Sequence, residues 1–180
     1  MIYLISDTHF NHKNVIAYEN RPFPTADLMN DTMIKNWNSI VKDDDIVIHL
    51  GDVALGKETS LKYIIPSLKG RKILIKGNHD GKSKQFYYDC GFEEVVHTKF
   101  LEYKGQIIFL SHEPSSRPGD KKEKYDLHCY GHVHSKYQDE LPTIARNGAC
   151  LCVERWGYKP VSLDEIIELC KKSGISSSLI

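Results

Sequence analysis

Short apolar runs alternate with amphipathic stretches through the first half of the chain. Ile2–Ile5 is continuously apolar, as a strand buried on both faces would be. Met29, Met33, Trp37 and Ile40 recur three or four residues apart behind Thr25, which predicts a helix from a Thr25 cap through Val41. Asp45–Leu50 and Lys72–Lys76 read as the second and third strands. Lys57–Leu68 lies between them as a helix, with Pro66 near its end and Gly70 as its stop. This β-α-β-α-β order predicts a parallel sheet with crossover helices.

The second half is richer in strands. Glu94–Thr98, Phe100–Tyr103 and Gln106–Ser111 are short strand candidates, the last two joined by a Lys104-Gly105 turn. Asp126–Tyr130, Thr143–Arg146 and Leu151–Glu154 continue the pattern. Ser162–Lys172 reads as a closing helix, with Ser162 and Glu165 as a capping box. A single domain over residues 1–172 and a frayed tail over 173–180 are expected. Pro114–Lys124 is the one long irregular stretch, a lid over an anionic substrate or a solvated loop.

Composition sharpens this picture. The 180 residues carry 24 basic and 24 acidic side chains, so the basic excess of a protein that tracks nucleic acid is missing. A small substrate is favoured over a polymer. Five cysteines form no C-x-x-C pair and read as free thiols of a reducing compartment; Cys150 and Cys152 are expected to share a strand face as small core residues. No secretory signal or membrane-length apolar run is found, so the expected location is the cytoplasm, without membrane partners.

Polar clusters follow the predicted strands: Asp7-Thr8-His9, Gly51-Asp52, Gly77-Asn78-His79-Asp80, His112 and Gly131-His132-Val133-His134. Any one of them is most simply a cap or a surface group. Five at the ends of separate strands, where ligands bind in open parallel sheets, point to one site. Carboxylate and imidazole without thiolate suit manganese, iron, zinc, cobalt or nickel. In D-x-H and H-x-H on extended backbone both side chains would point the same way, and the glycines would permit close approach. The pattern reads as a bimetal centre.

The order D-x-H, G-D, G-N-H-D, H, G-H-x-H between Ile2 and His134 resembles the calcineurin-like metallophosphoesterases. The opening Ser6–Asn14 and the string Asn20-Arg21-Pro22-Phe23 resemble a small bacterial and phage-associated subgroup of that family. The resemblance implies an α/β fold, an αββα sandwich of two central mixed sheets flanked by helices. It implies two divalent transition-metal ions, manganese first, with iron, zinc, nickel or cobalt as alternatives. Asp7, His9 and His134 would hold one ion, Asn78, His112 and His132 the other, and Asp52 would bridge them. A metal-bridging hydroxide would attack a phosphodiester or phosphomonoester, and His79 would protonate the leaving group as catalytic general acid.

Many relatives read G-D-x-x-D at the second motif, the later Asp orienting the catalytic His. Leu55 stands there in this chain. Asp80, Asp44 or Asp45 is a candidate to replace it. Asn11 and His12 are candidates for substrate contact or ligand orientation, and Arg21 and Arg117 for forking onto phosphate. Arg155-Trp156 could contact a nucleotide or belong to the core. His49, His97 and His128 read as structural, and Tyr87-Tyr88 as packing.

The expected substrate is a small phosphate ester, nucleotide-like, with the oligomeric state open. A nuclease on the same site is the alternative. A scaffold without catalysis is disfavoured because the whole ligand set and His79 are retained. A metallo-β-lactamase-type hydrolase would need H-x-H-x-D-H, which is absent.

Overall fold

The computed structural model describes residues 1–55, 58–119 and 124–176. The chain begins with β1 (Ile2–Ile5), α1 (Lys13–Tyr18), α2 (Ala26–Ile40), β2 (Ile46–His49), α3 (Glu58–Ser67), β3 (Arg71–Ile75), α4 (Lys84–Asp89) and β4 (Phe92–Val96). It continues with β5 (Thr98–Tyr103), β6 (Gln106–Ser111), β7 (Leu127–Tyr130), β8 (Ile144–Ala145), β9 (Gly148–Cys150), a 3-10 helix at Val153–Trp156, β10 (Val161–Ser162) and α5 (Leu163–Ser176).

Two mixed five-stranded sheets result, ordered β10-β1-β2-β3-β4 and β5-β6-β7-β9-β8. In the first, β1 to β4 run parallel and β10 closes the edge antiparallel to β1. In the second, β6, β7 and β9 are parallel, with antiparallel β5 and β8 at the edges. Alternation along each strand divides the core. Tyr3, Ile5, Val47 and Leu74 face the layer of α1 to α4, where Met29, Met33 and Trp37 form one stripe of α2. Leu4, Ile48 and Ile75 face the opposite way and meet Ile108, Leu110, Leu127 and Cys129 of the second sheet. Helix α5 adds Leu163, Ile166, Ile167 and Cys170 to that inter-sheet core. The sandwich of two central sheets flanked by helices is therefore observed.

Local signals account for the well-placed elements. Thr25 caps α2 by accepting from Leu28 N, and Ser162 Oγ accepts from Glu165 N. Lys104 and Gly105 both have positive φ, 50° and 75°, the two-residue turn that matches strand twist. Of the predicted α3, Lys57 lies outside the described residues. So do residues 120–123 of the long stretch, and 177–180 of the tail; α5 itself runs past Lys172 to Ser176. Short α1, α4 and β10 have too few residues for a visible period.

One expected strand is corrected. Leu151–Glu154 is not a strand: β9 ends at Cys150, and Val153–Trp156 is 3-10, closed by Gly157 in the left-handed region. The cause is a change of partner. Leu151 N donates to Tyr130 O of the second sheet, while its carbonyl accepts from Ser6 N of the first. The segment stitches the two sheets together and then turns away.

Candidate metal centre

All five polar clusters leave the carboxyl ends of β1, β2, β3, β6 and β7 at one edge of the sandwich. The backbone there departs from expectation. Asp7, His9, Asp52, His132 and His134 have φ between 47° and 72°, so D-x-H and H-x-H are not extended. Left-handed backbone costs a non-glycine residue roughly 1–2 kcal/mol, and such strain gathers at functional sites. Polar main-chain bonds hold it in place: Asp7 N donates to Gly51 O and His9 N to Asp52 O. Close approach makes glycine necessary, since a Cβ on Gly131 would strike Ser6 Oγ and Asp7 Oδ2, and one on Gly77 would strike Asp52 Oδ1.

Two sets of donor atoms converge. Asp7, His9 and His134 offer atoms within 4.8 Å of one another, as do Asp7, Asp52 and His112. His134 Nε2 lies 3.7 Å from Asp7 Oδ1. On the other side Asn78 Oδ1 is 2.9 Å from His112 Nε2 and 3.0 Å from His132 Nδ1. Asp52 Oδ2 stands between the sets, 3.6 Å from His9 Nε2 and 3.5 Å from His112 Nε2. Asp7 Oδ1 and both ring nitrogens of His9 are buried without a hydrogen-bond partner. Buried polar atoms left without a partner each cost about 1–3 kcal/mol. Their chemistry, carboxylate and imidazole, fits a divalent transition ion.

The electrostatics agree. Burial pulls His9 down to about 3, so its imidazole is neutral with a lone pair to give. Burial would raise Asp52, but the hydrogen bond and charge of His112 hold it at about 2. Burial likewise opposes protonation of His112, yet its Asp52 and Asp7 neighbours carry it up to about 9. His112 Nδ1–H donates to Leu50 O at 2.8 Å, which turns Nε2 toward the centre.

The supporting residues are not all those expected. Asp80 does not orient His79. Its Oδ2 accepts from Asp52 N and Gly77 N and its Oδ1 from Val53 N, so it braces two ligand loops instead. Asp45 is bound to the Met1 ammonium and to Lys42 N, and Asp44 is exposed beside it. Both sit at the opposite end of β2, about 20 Å away at strand rise. His79 N donates to Asp52 Oδ1, and its exposed ring stands 5.4 Å from that of His9. Among the described residues, no hydrogen bond is made by the His79 ring.

Arg21 is neither a phosphate fork nor a solvated loop residue. It is 4% exposed and donates to Asp7 O, Thr8 O and Glu154 Oε1. Arg117 donates to Pro114 O and Ser116 O of its own loop, and among the described residues it makes no hydrogen bond to the centre. Asn11 interlocks with Asn30, its N–H donating to Asn30 Oδ1 and its Oδ1 accepting from Asn30 Nδ2. The His12 ring lies 5.4 Å from that of His9, tilted by 52°. Burial, then the nearby His79, lower its pKa.

His49 is structural: Nε2–H donates to Thr8 Oγ1 and Nδ1 accepts from Gly51 N. His128 Nε2–H donates to Ser111 Oγ, and His97 is exposed between β4 and β5. Arg155 binds the carbonyls of His134, Lys136 and Leu141, and Trp156 donates to Cys150 O against the inter-sheet core. Tyr87 packs into the helix-side core, whereas Tyr88 is exposed on the other side of α4.

Sequence reasoning missed Cys152 and Glu154. The five cysteines are free and buried; Cys152 lies beyond β9, so it shares no strand with Cys150, but the two sulfurs meet at 3.4 Å. Cys152 does more than pack. Its Sγ–H donates to Asp7 Oδ2 at 3.3 Å, and its sulfur accepts from His134 N. Glu154 accepts from His134 Nδ1–H at 2.9 Å. The only signal was their place within and at the end of the expected strand Leu151–Glu154.

Residues 1–154 match the calcineurin-like phosphoesterase superfamily domain, and the chain belongs to that metal-dependent family. It is 41% identical over 178 residues to the protein MJ1445 of Methanocaldococcus jannaschii, covering 97% of this chain and 93% of that one. The gene 66 protein of Mycobacterium phage L5 is 38% identical over 82 residues, 42% of this chain and 38% of that protein. The crystal structure of AQ665 from Aquifex aeolicus superposes with a TM-score of 0.73 at 31% identity, covering 94% of this chain and 98% of that one.

Proposed function

We propose that residues 1–172 act as one dinuclear phosphoesterase domain, hydrolysing a phosphodiester or phosphomonoester of a small, nucleotide-like substrate in the cytoplasm. The observation that carries this is Asp52 Oδ2 standing between two converging donor sets. Asp7, His9 and His134 would hold one ion, and Asn78, His112 and His132 the other, with manganese the first candidate. Two divalent ions, when bound, supply Lewis acidity toward the phosphate and an activated water.

The chain's own residues supply the rest. Asn78 offers a neutral carbonyl, which limits negative charge where an anionic ester must sit. His79, exposed beside His9, gives its proton to the departing alkoxide. A cleft of about 420 Å³ opens beside Asn11, lined by Asp27, Asn30, Asp31, Ile34 and Tyr63. Its two carboxylates disfavour a run of phosphates, which supports a small ester over a polynucleotide. Free buried cysteines support a reducing compartment. Among the described residues no helix is long and apolar enough to cross a membrane.

Metal-stripped protein given Mn²⁺, Ni²⁺, Zn²⁺ or Mg²⁺ and assayed on bis-p-nitrophenyl phosphate and p-nitrophenyl phosphate tests the proposal. Metal-dependent turnover is expected, with the ratio of the two rates reporting diester or monoester preference. Folded protein without turnover under every metal would count against it.

A further inference from the structure

Glu154 lies beyond all the motifs that mark the centre, yet it touches one of the candidate ligands. Its side chain is 6% exposed, and three donors converge on a single oxygen. Oε1 accepts from His134 Nδ1–H at 2.9 Å, Arg21 Nε at 2.9 Å and Arg21 Nη2 at 2.6 Å. The other oxygen, Oε2, is buried without a partner. Arg21 in turn donates through Nη2 to Asp7 O and through Nη1 to Thr8 O, the backbone between Asp7 and His9. One ion pair, 133 residues apart in sequence, therefore ties the D-x-H loop to the G-H-x-H loop.

We propose that Glu154 is a positioning residue for the ion held by Asp7, His9 and His134, a proposal that rests on the metal reading above. Two consequences follow from the geometry. A carboxylate accepts only, so Nδ1 of His134 must carry the proton and Nε2, which faces Asp7 Oδ1, must present the lone pair. The bond also aims the ring and makes Nε2 a stronger donor, as carboxylate partners of metal-bound histidines do. Arg21 pairs with Glu154 in a buried place and sets its register against the loop that carries Asp7 and His9. A buried ion pair with one oxygen unpartnered is a poor source of fold stability. Its placement makes better sense as a device for ligand geometry.

The test needs no turnover. Zinc-loaded wild-type protein labelled on the histidine rings should show His134 protonated at Nδ1 and metal-shifted at Nε2 by ¹⁵N NMR. A ring bound through Nδ1 would overturn the proposal without any variant. Calorimetric titration of stripped protein with Zn²⁺ should then show the site containing His134 weakened about 10–100-fold in Glu154→Ala. Glu154→Gln, which can still accept the ring N–H, should recover part of that loss, and the other site should be unchanged in both. Thermal melts of the stripped variants separate this from a fold defect. Equal zinc affinity in wild type and both variants would refute the role of Glu154 alone. Wild type that binds no zinc at His134 would instead bring down the metal reading, and this proposal with it.

Discussion

The two halves of the centre are built differently. The half containing Asp7, His9 and His134 is sunk into the sandwich, with Asp7 at 0% and His9 at 2% exposure. Its supports are three residues from two segments outside the ligand motifs: Arg21, and Cys152 with Glu154. Its inward polar atoms have no protein partner. The half containing Asn78, His112 and His132 lies at the rim, with Asn78 and His132 exposed. There the donor atoms bond one another, Asn78 with both imidazoles. Rigid, partnerless donors lose little on taking up an ion, whereas mutually bonded ones must first give up those bonds. The buried half should be the tight site and the rim half the exchangeable one.

The largest effect should come from Asp52→Asn, the residue that faces both halves. Its kcat/KM on bis-p-nitrophenyl phosphate should fall further than the roughly 10²–10⁴-fold that loss of a general acid brings. A variant retaining most activity would show that the halves do not share this carboxylate.

His79→Ala comes next and separates chemistry from metal holding. Loss of kcat should reach about 10²–10⁴-fold on an alkyl ester, whose leaving group needs a proton. It should be much smaller on p-nitrophenyl esters, whose leaving group departs readily as an anion. Zinc affinity should be unchanged in calorimetry. Equal losses on both esters would place His79 outside acid catalysis.

Much of this centre was legible in the chain because ligands sit beside the strands that carry them. Asp7 and His9 follow β1 directly, and His132 and His134 follow β7, so local pattern placed them together. The braces were not legible. Arg21 and Glu154 meet only through the tertiary fold, and nothing local distinguishes either from an ordinary charged residue. Asp80 sits in the G-N-H-D string, where adjacency suggested service to His79; the turn instead aims it at backbone N–H groups of Asp52, Val53 and Gly77. The left-handed ligand backbone was hidden for a similar reason, since long-range bonds such as Asp7 N to Gly51 O impose it. Pairing of Leu151 with both sheets likewise ended a strand that its apolar pattern would have continued.

Smaller effects should separate the halves by affinity and by pH. Asn78→Ala should weaken only the looser zinc site in calorimetry, and His134→Ala only the tighter one. A crossed result would dissolve the distinction. His112, raised to about 9 in the metal-free protein, must lose a proton to bind. Affinity at the rim should therefore strengthen up to about tenfold per pH unit as pH rises toward 9, measured by titration with a buffer series. The metal-free fold should respond in the opposite range. His9 and His49 are both held to about 3 by burial, against 6.5 for a free imidazole. The unfolded chain binds their protons first as pH falls through that window, so the Tm of stripped protein should drop steadily between pH 6.5 and 3. A flat Tm there would contradict their burial as neutral rings.

The most direct test of the whole account is turnover of bis-p-nitrophenyl phosphate by stripped protein as Mn²⁺ is added in known equivalents. If Asp52 joins two working halves, activity should stay near background while the first equivalent fills the buried site and rise as the second occupies the rim. Full activity at one equivalent, with no further gain at two, would contradict the dinuclear centre.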